Sequence, residues 1–599
     1  MTPWETIKTG EAPSRRLWLA AILVLCAVYG LGVNNRWAIS PDGALYLTLG
    51  RSLAEGRGME FNGGHWWSIP PVLPMLIAAC RYVTGDGYWL INLILSACAV
   101  GTAVAVARTV KRLGAADLAL PVLLVSGFSA YLFITATRIQ TDVLFMLLVA
   151  LGLYGFVRGA TGSPWWIVFG GAAILLVTLT RPPGGLFLAG GVAGLALSFR
   201  RPSIARRLVA LTAMIAVTSV VLWYWITRIR TLADVGAGDY SAALSEHIDI
   251  LFSLSHLESI GTGLTLLPSS VFAAIFGQQL NSWLMLAPLL VALLGLATLA
   301  RRGQWIIVLP VAFNIGFLVL WGWSAVARRY LLPTMPYVVY ALLVGTQVVV
   351  AWVRRRQPGE GAPAGRVAVI LVAAACVAIS IPKIAREIYW MRSPDFYAAY
   401  DHGKWQDFVR ASRYLREHGR PGVDEVLGPQ PPVVHYLSGL RIFTKQLEPA
   451  TATWDPATAT PEGFVQAAAA APSRFIMVPA DVPGWSDEVA ARFAATSVFE
   501  PPVLIGVTPA KPTGTLAIYA RRTTPIGGPG GGSGVRYLGG WHGHAVAWPC
   551  KPPSVEHGHA TAWPCHPAQG VLAPPLLTHY AAAANFLDAR HPAGYPRNP

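Results

Sequence analysis

Long apolar runs, parted by short joints rich in arginine or in proline and glycine, fill the first two thirds of the chain. Runs of about 17 to 25 apolar residues match the hydrocarbon core of a bilayer. In lipid such runs are read as helices, because open strands would leave backbone groups without partners. The pattern predicts spans near 17–33, 88–109, 117–134, 139–157, 165–180, 183–199, 208–227, 283–300, 305–323, 331–351 and 367–382. Two shorter stretches, 69–79 with Pro70, Pro71 and Pro74, and 264–276, are brief for a full crossing. They are expected as interfacial or re-entrant helices; counting both as crossings raises the total from about eleven to about thirteen.

Beyond the last span the pattern changes. From Trp405 to Arg416 (WQDFVRASRYLR) apolar positions recur three and four apart, which predicts a helix. Residues 457–472 hold an alanine-rich helix, and Phe475–Val478 and Leu516–Ala520 read as strands. Residues 383–522 are therefore expected to form a small mixed α/β domain. It carries no nucleophile elbow, P-loop or paired-cysteine metal motif, so an accessory, substrate-shaping role is expected. From Thr523 the chain is rich in Gly, Pro and His and holds a near-repeat, GHAVAWPC at 543–550 and GHATAWPC at 558–565. His542, His544, His557, His559 and His566, with Cys550 and Cys565, are donor types for a soft or borderline metal. Nothing around them supplies a core and two repeats are too few for a solenoid, so 523–599 is expected to be a disordered tail without assigned metal ligands.

Composition agrees with the membrane reading: of 599 residues 54% are hydrophobic and 13% charged, with a mean hydropathy of +0.48. Soluble domains carry about a quarter charged residues. The formal charge of +16 raises nucleic acid as a partner, but the Arg and Lys flank apolar segments, where they orient spans instead. Lys8, Arg15 and Arg16 precede the first run, as in a signal peptide. Asn34-Asn35-Arg36 is a poor cleavage site, however, which favours an uncleaved helix with residues 1–16 in the cytoplasm. Inner joints then hold Lys111 and Arg112, Arg158, Arg200, Arg201, Arg206 and Arg207, Arg301 and Arg302, and Arg354 to Arg356, a consistent positive-inside record. Loops 34–87 and 228–282 and the C-terminal domain fall outside a multi-pass cell-membrane protein. Cys26, Cys80, Cys98 and Cys376 lie in apolar segments and say nothing about redox.

The chemistry-bearing residues gather on that outer side. The first outer loop contains Asp42 and Tyr46 in ISPDGALYLTLGRSLAEGRG, then Glu60, His65, Trp66 and Trp67. Arg138 and Asp142 lie in TATRIQTDVLF, Arg181 in TLTRPPGGLF, and Arg328, Arg329 and Tyr330 in VARRYLLPTMP. Ionisable groups near hydrocarbon are expensive and usually face a cavity, a partner or the interface. Plain structural readings stand beside each: Asp142 can pair Arg138 four residues earlier, and Asp42 can cap segment 44–54. Together they fit one task. A carboxylate accepts a proton from an attacking hydroxyl or amine, with or without a divalent metal ion, and guanidiniums hold a leaving phosphate.

The order of these stretches resembles GT-C-type membrane glycosyltransferases, especially protein O-mannosyltransferases and the lipid A aminoarabinose transferase. The resemblance runs over about residues 15–382 and rests on PDGALYLTLGRSLAEGRG, IPPVLPMLIAACRYVTGDGYWLINLILSACAVGTAVAVARTVKRLG, TRIQTDVLFMLLVALGLYGF, TRPPGGLFLAG and ARRYLLPTMPYVV. WQDFVRASRYLREHG and HYLSGLRI add weaker support. It implies a GT-C-like polytopic α-helical membrane protein, with a catalytic body at 17–382 and a small extracytoplasmic α/β domain. It also implies a polyprenyl-phosphate sugar as donor and inverting transfer to an extracytoplasmic lipid, glycan or protein acceptor. Asp42 maps to the acid that activates the acceptor and Asp142 to a supporting acid. Arg181 and Arg329 map to contacts with the lipid-linked phosphate, and the stretch from IPPVLP to a juxtamembrane helix over 69–84. Tyr46, Glu60, His65, Arg138 and Arg328 are further candidates for substrate binding. Many relatives place two acids together in the first loop, whereas here Asp42 is followed by Gly43. A transporter or lipid flippase would also use such charges, but no internal repeat with broken helices is evident. A non-catalytic polysaccharide-assembly protein is a further alternative. Sugar, lipid length, acceptor and oligomeric state are not set by the sequence.

Overall fold

The computed structural model describes residues 14–65, 69–181, 184–198, 254–277, 281–321, 327–354, 361–399, 404–443, 460–479, 485–496, 498–506, 515–522 and 536–537, with isolated positions 212, 215, 219 and 223. The chain divides into two units, Met1–Gly543 and His544–Pro599, and the second lies outside the described residues. So do most of the predicted span 208–227, the loop up to 253, Trp66 and Trp67, and the His/Cys tail.

The chain begins with α1 (Arg15–Gly32) and enters a loop holding α2 (Pro41–Ala54), β1 (Glu60–Phe61), β2 (Gly64–His65) and α3 (Val72–Thr84). The helical body continues as α4 (Trp89–Arg112), α5 (Ala116–Gly127), α6 (Ala130–Ala136), α7 (Asp142–Thr161), α8 (Trp165–Thr178) and α9 (Gly184–Leu197). It then runs through α10 (Leu254–Phe276), α11 (Ser282–Arg301), α12 (Trp305–Trp321), α13 (Ala327–Leu331), α14 (Met335–Arg354) and α15 (Gly361–Arg392). Among the described residues six helices are long and apolar enough to cross a membrane, or seven if α5 and α6 form one span bent by 54°. The protein is thus a multi-pass, predominantly helical membrane protein.

A helix stands at each predicted span within the described residues, but several bounds differ from expectation. The predicted span 117–134 is broken: Ser129 restarts the chain as α6 by accepting the Leu132 N–H at 3.2 Å, while its hydroxyl donates to the Ile275 carbonyl of α10 at 2.9 Å. The stretch 264–276 is the end of a 23-residue helix whose first half, LSHLESIGTG, is too polar to read as part of an apolar run. Helices α8 and α9 have 14 residues each. At 1.5 Å per residue that is about 21 Å, less than a bilayer core of about 30 Å. Small residues let the helices close on one another: a Cβ on Gly295 or Gly345 would run into the backbone carbonyl of Ala341 or Val291 across the α11–α14 contact.

Beyond α15 come α16 (Phe396–Ala399), α17 (Lys404–His418), β3 (Glu425–Leu427), α18 (Pro431–Ser438), β4 (Arg441–Ile442), α19 (Pro461–Ala470), β5 (Phe475–Pro479), α20 (Trp485–Ala495), β6 (Val503–Ile505), β7 (Leu516–Ala520) and β8 (Arg536–Tyr537). Six strands form one mixed sheet in the order β4-β3-β5-β7-β6-β8. Strand alternation divides the domain's core. Ile476 and Val478 pack with Phe464, Val489 and Phe493 of α19 and α20. Phe475 and Met477 face Phe408 and Leu415 of α17 and Val433 of α18.

That second core does not stop at the domain. It continues through Trp37, Ala44, Leu47, Leu73, Ile77 and Ile139, so α2, α3 and the α6–α7 joint share it with the sheet. The β1–β2 hairpin adds a polar clasp. Its tip, Asn62 (φ 56°) and Gly63 (φ 81°), takes the left-handed conformations that a two-residue Asn-Gly turn requires. The buried Asn62 amide donates to the Ile442 carbonyl at 2.8 Å and accepts the Ile442 N–H at 2.6 Å.

Candidate active site

Four separate segments bring two acids and two guanidiniums together at one end of the body. Asp42 lies in the first turn of α2, which is capped by Ser40, whose hydroxyl accepts the Gly43 N–H at 3.1 Å. Asp142 opens α7, where the N–H ends of the helix favour a negative charge. Arg181 follows α8, its N–H still bonded to the Val177 carbonyl at 3.0 Å. Arg329 sits on α13, which is tied to the body by the buried Asn314 of α12, whose side chain donates to the Tyr330 carbonyl at 2.9 Å.

Arg329 joins the two acids. Its Nη1 donates to Asp42 Oδ2 at 2.7 Å and its Nη2 to Asp142 Oδ2 at 2.9 Å. Arg181 donates to the other oxygen of Asp142 and lies over the Tyr330 ring, 4.8 Å from its centroid. The Asp142 side chain is 1% exposed and that of Asp42 46%, so one acid is enclosed and the other faces the opening. The Arg329 Nε is buried without a partner among the described residues. Tyr46, one turn after Asp42, stands among Asp42, Arg181 and Asp142; burial first, then the Asp42 charge, pushes its phenol up to about 12. Tyr46 is therefore a neutral hydroxyl at physiological pH.

The expected pairing of Asp142 with Arg138 is not what forms. Both Asp142 oxygens are taken by Arg181 and Arg329, which arrive from distant segments. Arg138 instead interacts by charge with the buried Glu387 of α15, which also accepts a bond from the Thr137 hydroxyl at 3.4 Å. Asp42 does not cap α2, since Ser40 holds that position. Glu60 is engaged by Arg57 at 3.4 Å, and His65 is exposed on β2, so neither enters the acid–arginine network. Arg328 is on α13, but its side chain lies outside the described residues. Asn314 and Glu387 went unmarked by sequence reading. For Asn314 the signal was a lone polar residue in an apolar span, a weaker mark than an acid in a loop, whereas Glu387 lies past the predicted span 367–382 beside Lys383 and Arg386 and carried no such mark.

Among the described residues, the side chains at this site do not make up a divalent-ion site. An ion between Asp42 and Asp142 would meet two guanidiniums, and no group of three His, Cys, Asp or Glu stands together among the described residues.

A multi-pass helical body and a sheet domain that shares a core with its first loop make up a GT-C fold. Within it, residues 68–225 match the family model described as dolichyl-phosphate-mannose-protein mannosyltransferase. Among solved structures, ArnT from Cupriavidus metallidurans bound to undecaprenyl phosphate aligns with a TM-score of 0.51 at 14% identity, over 86% of this chain and 100% of that one. At this identity the likeness establishes the fold. The apo state of the same ArnT aligns with a TM-score of 0.49 at 14% identity, over 84% of this chain and 97% of that one. The archaeal oligosaccharyltransferase AglB from Archaeoglobus fulgidus, in complex with an inhibitory peptide and a dolichol-phosphate, gives 0.49 at 12% identity, over 86% and 75%. No curated protein matches the chain by sequence.

Proposed function

We propose that this protein transfers a sugar from a polyprenyl-phosphate donor to an acceptor on the extracytoplasmic face of the cell membrane, with its N-terminus in the cytoplasm. The observation that carries the reading is the shared guanidinium of Arg329, which holds one exposed and one enclosed carboxylate. Asp42, open to solvent, accepts the proton of the acceptor's hydroxyl or amine. The acceptor's lone pair forms the new bond to the anomeric carbon as the bond from that carbon to the phosphate oxygen breaks. The electron pair leaves with the lipid phosphate, whose growing charge is met by Arg329 and Arg181. Asp142 holds both guanidiniums in place. A single displacement of this kind inverts the anomeric centre. The lipid tail stays in hydrocarbon while the headgroup enters at the end of the bundle, and the sheet domain borders the acceptor side.

The test uses the purified full-length chain with a panel of polyprenyl-phosphate sugars, with and without a chelator, following release of the lipid phosphate. Wild-type transfer is expected to persist under chelation. Asp42→Asn is expected to lose at least about 100-fold in rate with an unchanged melting temperature, because its side chain is half exposed. Full activity in Asp42→Asn rejects Asp42 as the base, and no transfer from any lipid-linked donor rejects the reading.

A further inference from the structure

The segment carrying Asp42 comes closest to a clash with the segment carrying Asp142 at Gly43. A Cβ built on Gly43 would lie 2.7 Å from Ser40 Oγ, 2.9 Å from Trp37 Nε1 and 3.1 Å from the Ile139 carbonyl oxygen. None of these neighbours has room to retreat. The Ser40 hydroxyl is the cap that holds the start of α2. Trp37 is 1% exposed, and its ring packs edge-on against Tyr436 at 5.0 Å between centroids. Ile139 is fully buried in the joint between α6 and α7, three residues before Asp142, and contributes backbone rather than side chain. A side chain at 43 would therefore find space only if the first turn of α2 moved off that joint.

Such a movement separates the two acids. Arg329 reaches Asp42 at 2.7 Å and Asp142 at 2.9 Å with the two arms of one rigid fork, so their spacing has little slack. We propose that Gly43 is a positioning residue: by letting the α2 backbone lie directly against Ile139, it sets the separation of Asp42 from Asp142 across Arg329. The same contact leaves no room for a second acid after Asp42, so proton acceptance in this part of the loop falls on one carboxylate. The inference rests on the transfer reaction proposed above.

The experiment compares Gly43→Ala with Gly30→Ala, whose added methyl on α1 meets nothing within 4 Å. For Gly43→Ala kcat is expected to fall about 10- to 100-fold, as for a misplacement of about 1 Å in a catalytic constellation. Donor KM and melting temperature should stay within about twofold and about 2 °C of the wild type. Gly30→Ala should match the wild type throughout. Unchanged kcat in Gly43→Ala overturns the proposal, and so does a loss of kcat matched by loss of folding. An experimental structure of Gly43→Ala answers independently of turnover: an opened Asp42–Arg329 contact supports the proposal and an intact one overturns it. An inactive wild type would count against the proposed reaction, while this structural readout would still decide the role of Gly43.

Discussion

Each charged side chain in the site is defined by what the others leave open. Asp142 is enclosed and doubly bonded, so its carboxylate is committed to holding arginines and is unsuited to taking a substrate proton. Removing one partner of such a buried set costs about 3–5 kcal/mol, which makes Asp142 as much a stability residue as a functional one. Arg329 is less committed, being 26% exposed with its Nε unpartnered among the described residues. A lysine there keeps the charge but loses the fork, and one ammonium cannot reproduce two parallel bonds to separate acids. Arg329→Lys is accordingly expected to lower kcat/KM by at least about tenfold, read from initial rates against donor concentration. A rate equal to wild type would mean that charge alone suffices at this position.

At the scale of elements, the short helix α13 matters beyond its length, because a five-residue helix cannot hold itself in place. The Asn314 bond to the Tyr330 carbonyl anchors it from α12. Asn314→Ala removes about 1 kcal/mol of net hydrogen bonding and frees the turn that aims Arg329. The expected result is a several-fold rise in donor KM with a small fall in melting temperature, measured by donor titration and thermal unfolding. Much of this architecture was legible in the residues. Apolar runs marked the spans, and the spacing of Trp405 and Phe408 marked α17. The short apolar run Phe475–Val478 marked a strand, which the fold buries on both faces. Asp42, Tyr46, Asp142, Arg181 and Arg329 could be gathered because each sits at a span end or in the loop on one predicted side. Their partners could not be read, because local spacing favoured Arg138 for Asp142 while the fold supplied Arg181 and Arg329 from 39 and 187 residues away. The break at Ser129 was equally hidden, since its reason is a carbonyl of α10 that only the packed body provides.

At the scale of the whole molecule, the sheet domain is welded to the membrane body by a shared core, so its integrity bears on the site. One ionic centre inside it responds to acid. Asp424 is held by bonds from Arg420 and Arg474; burial opposes its ionisation, but these bonds prevail and bring its pKa down to about 2. An unfolded aspartate titrates near about 3.9, so the folded state gains stability from this group above that pH. The gain is lost as pH falls through about 2. Thermal unfolding of the full chain between about pH 5 and pH 2 should show the domain weakening over this interval, and Asp424→Asn should flatten the dependence. A slope that survives the substitution would assign it to other carboxylates.

The hairpin tip has a consequence outside catalysis. β4 is the outermost strand of the six-stranded sheet, and its Ile442 N–H and carbonyl point away from β3. A bare strand margin of this kind invites pairing with a second molecule. The Asn62 carboxamide occupies both groups in the manner of a neighbouring peptide unit, so the sheet ends in one side chain instead of in an open edge. The residue that fastens the loop to the domain thereby also closes that edge of its sheet.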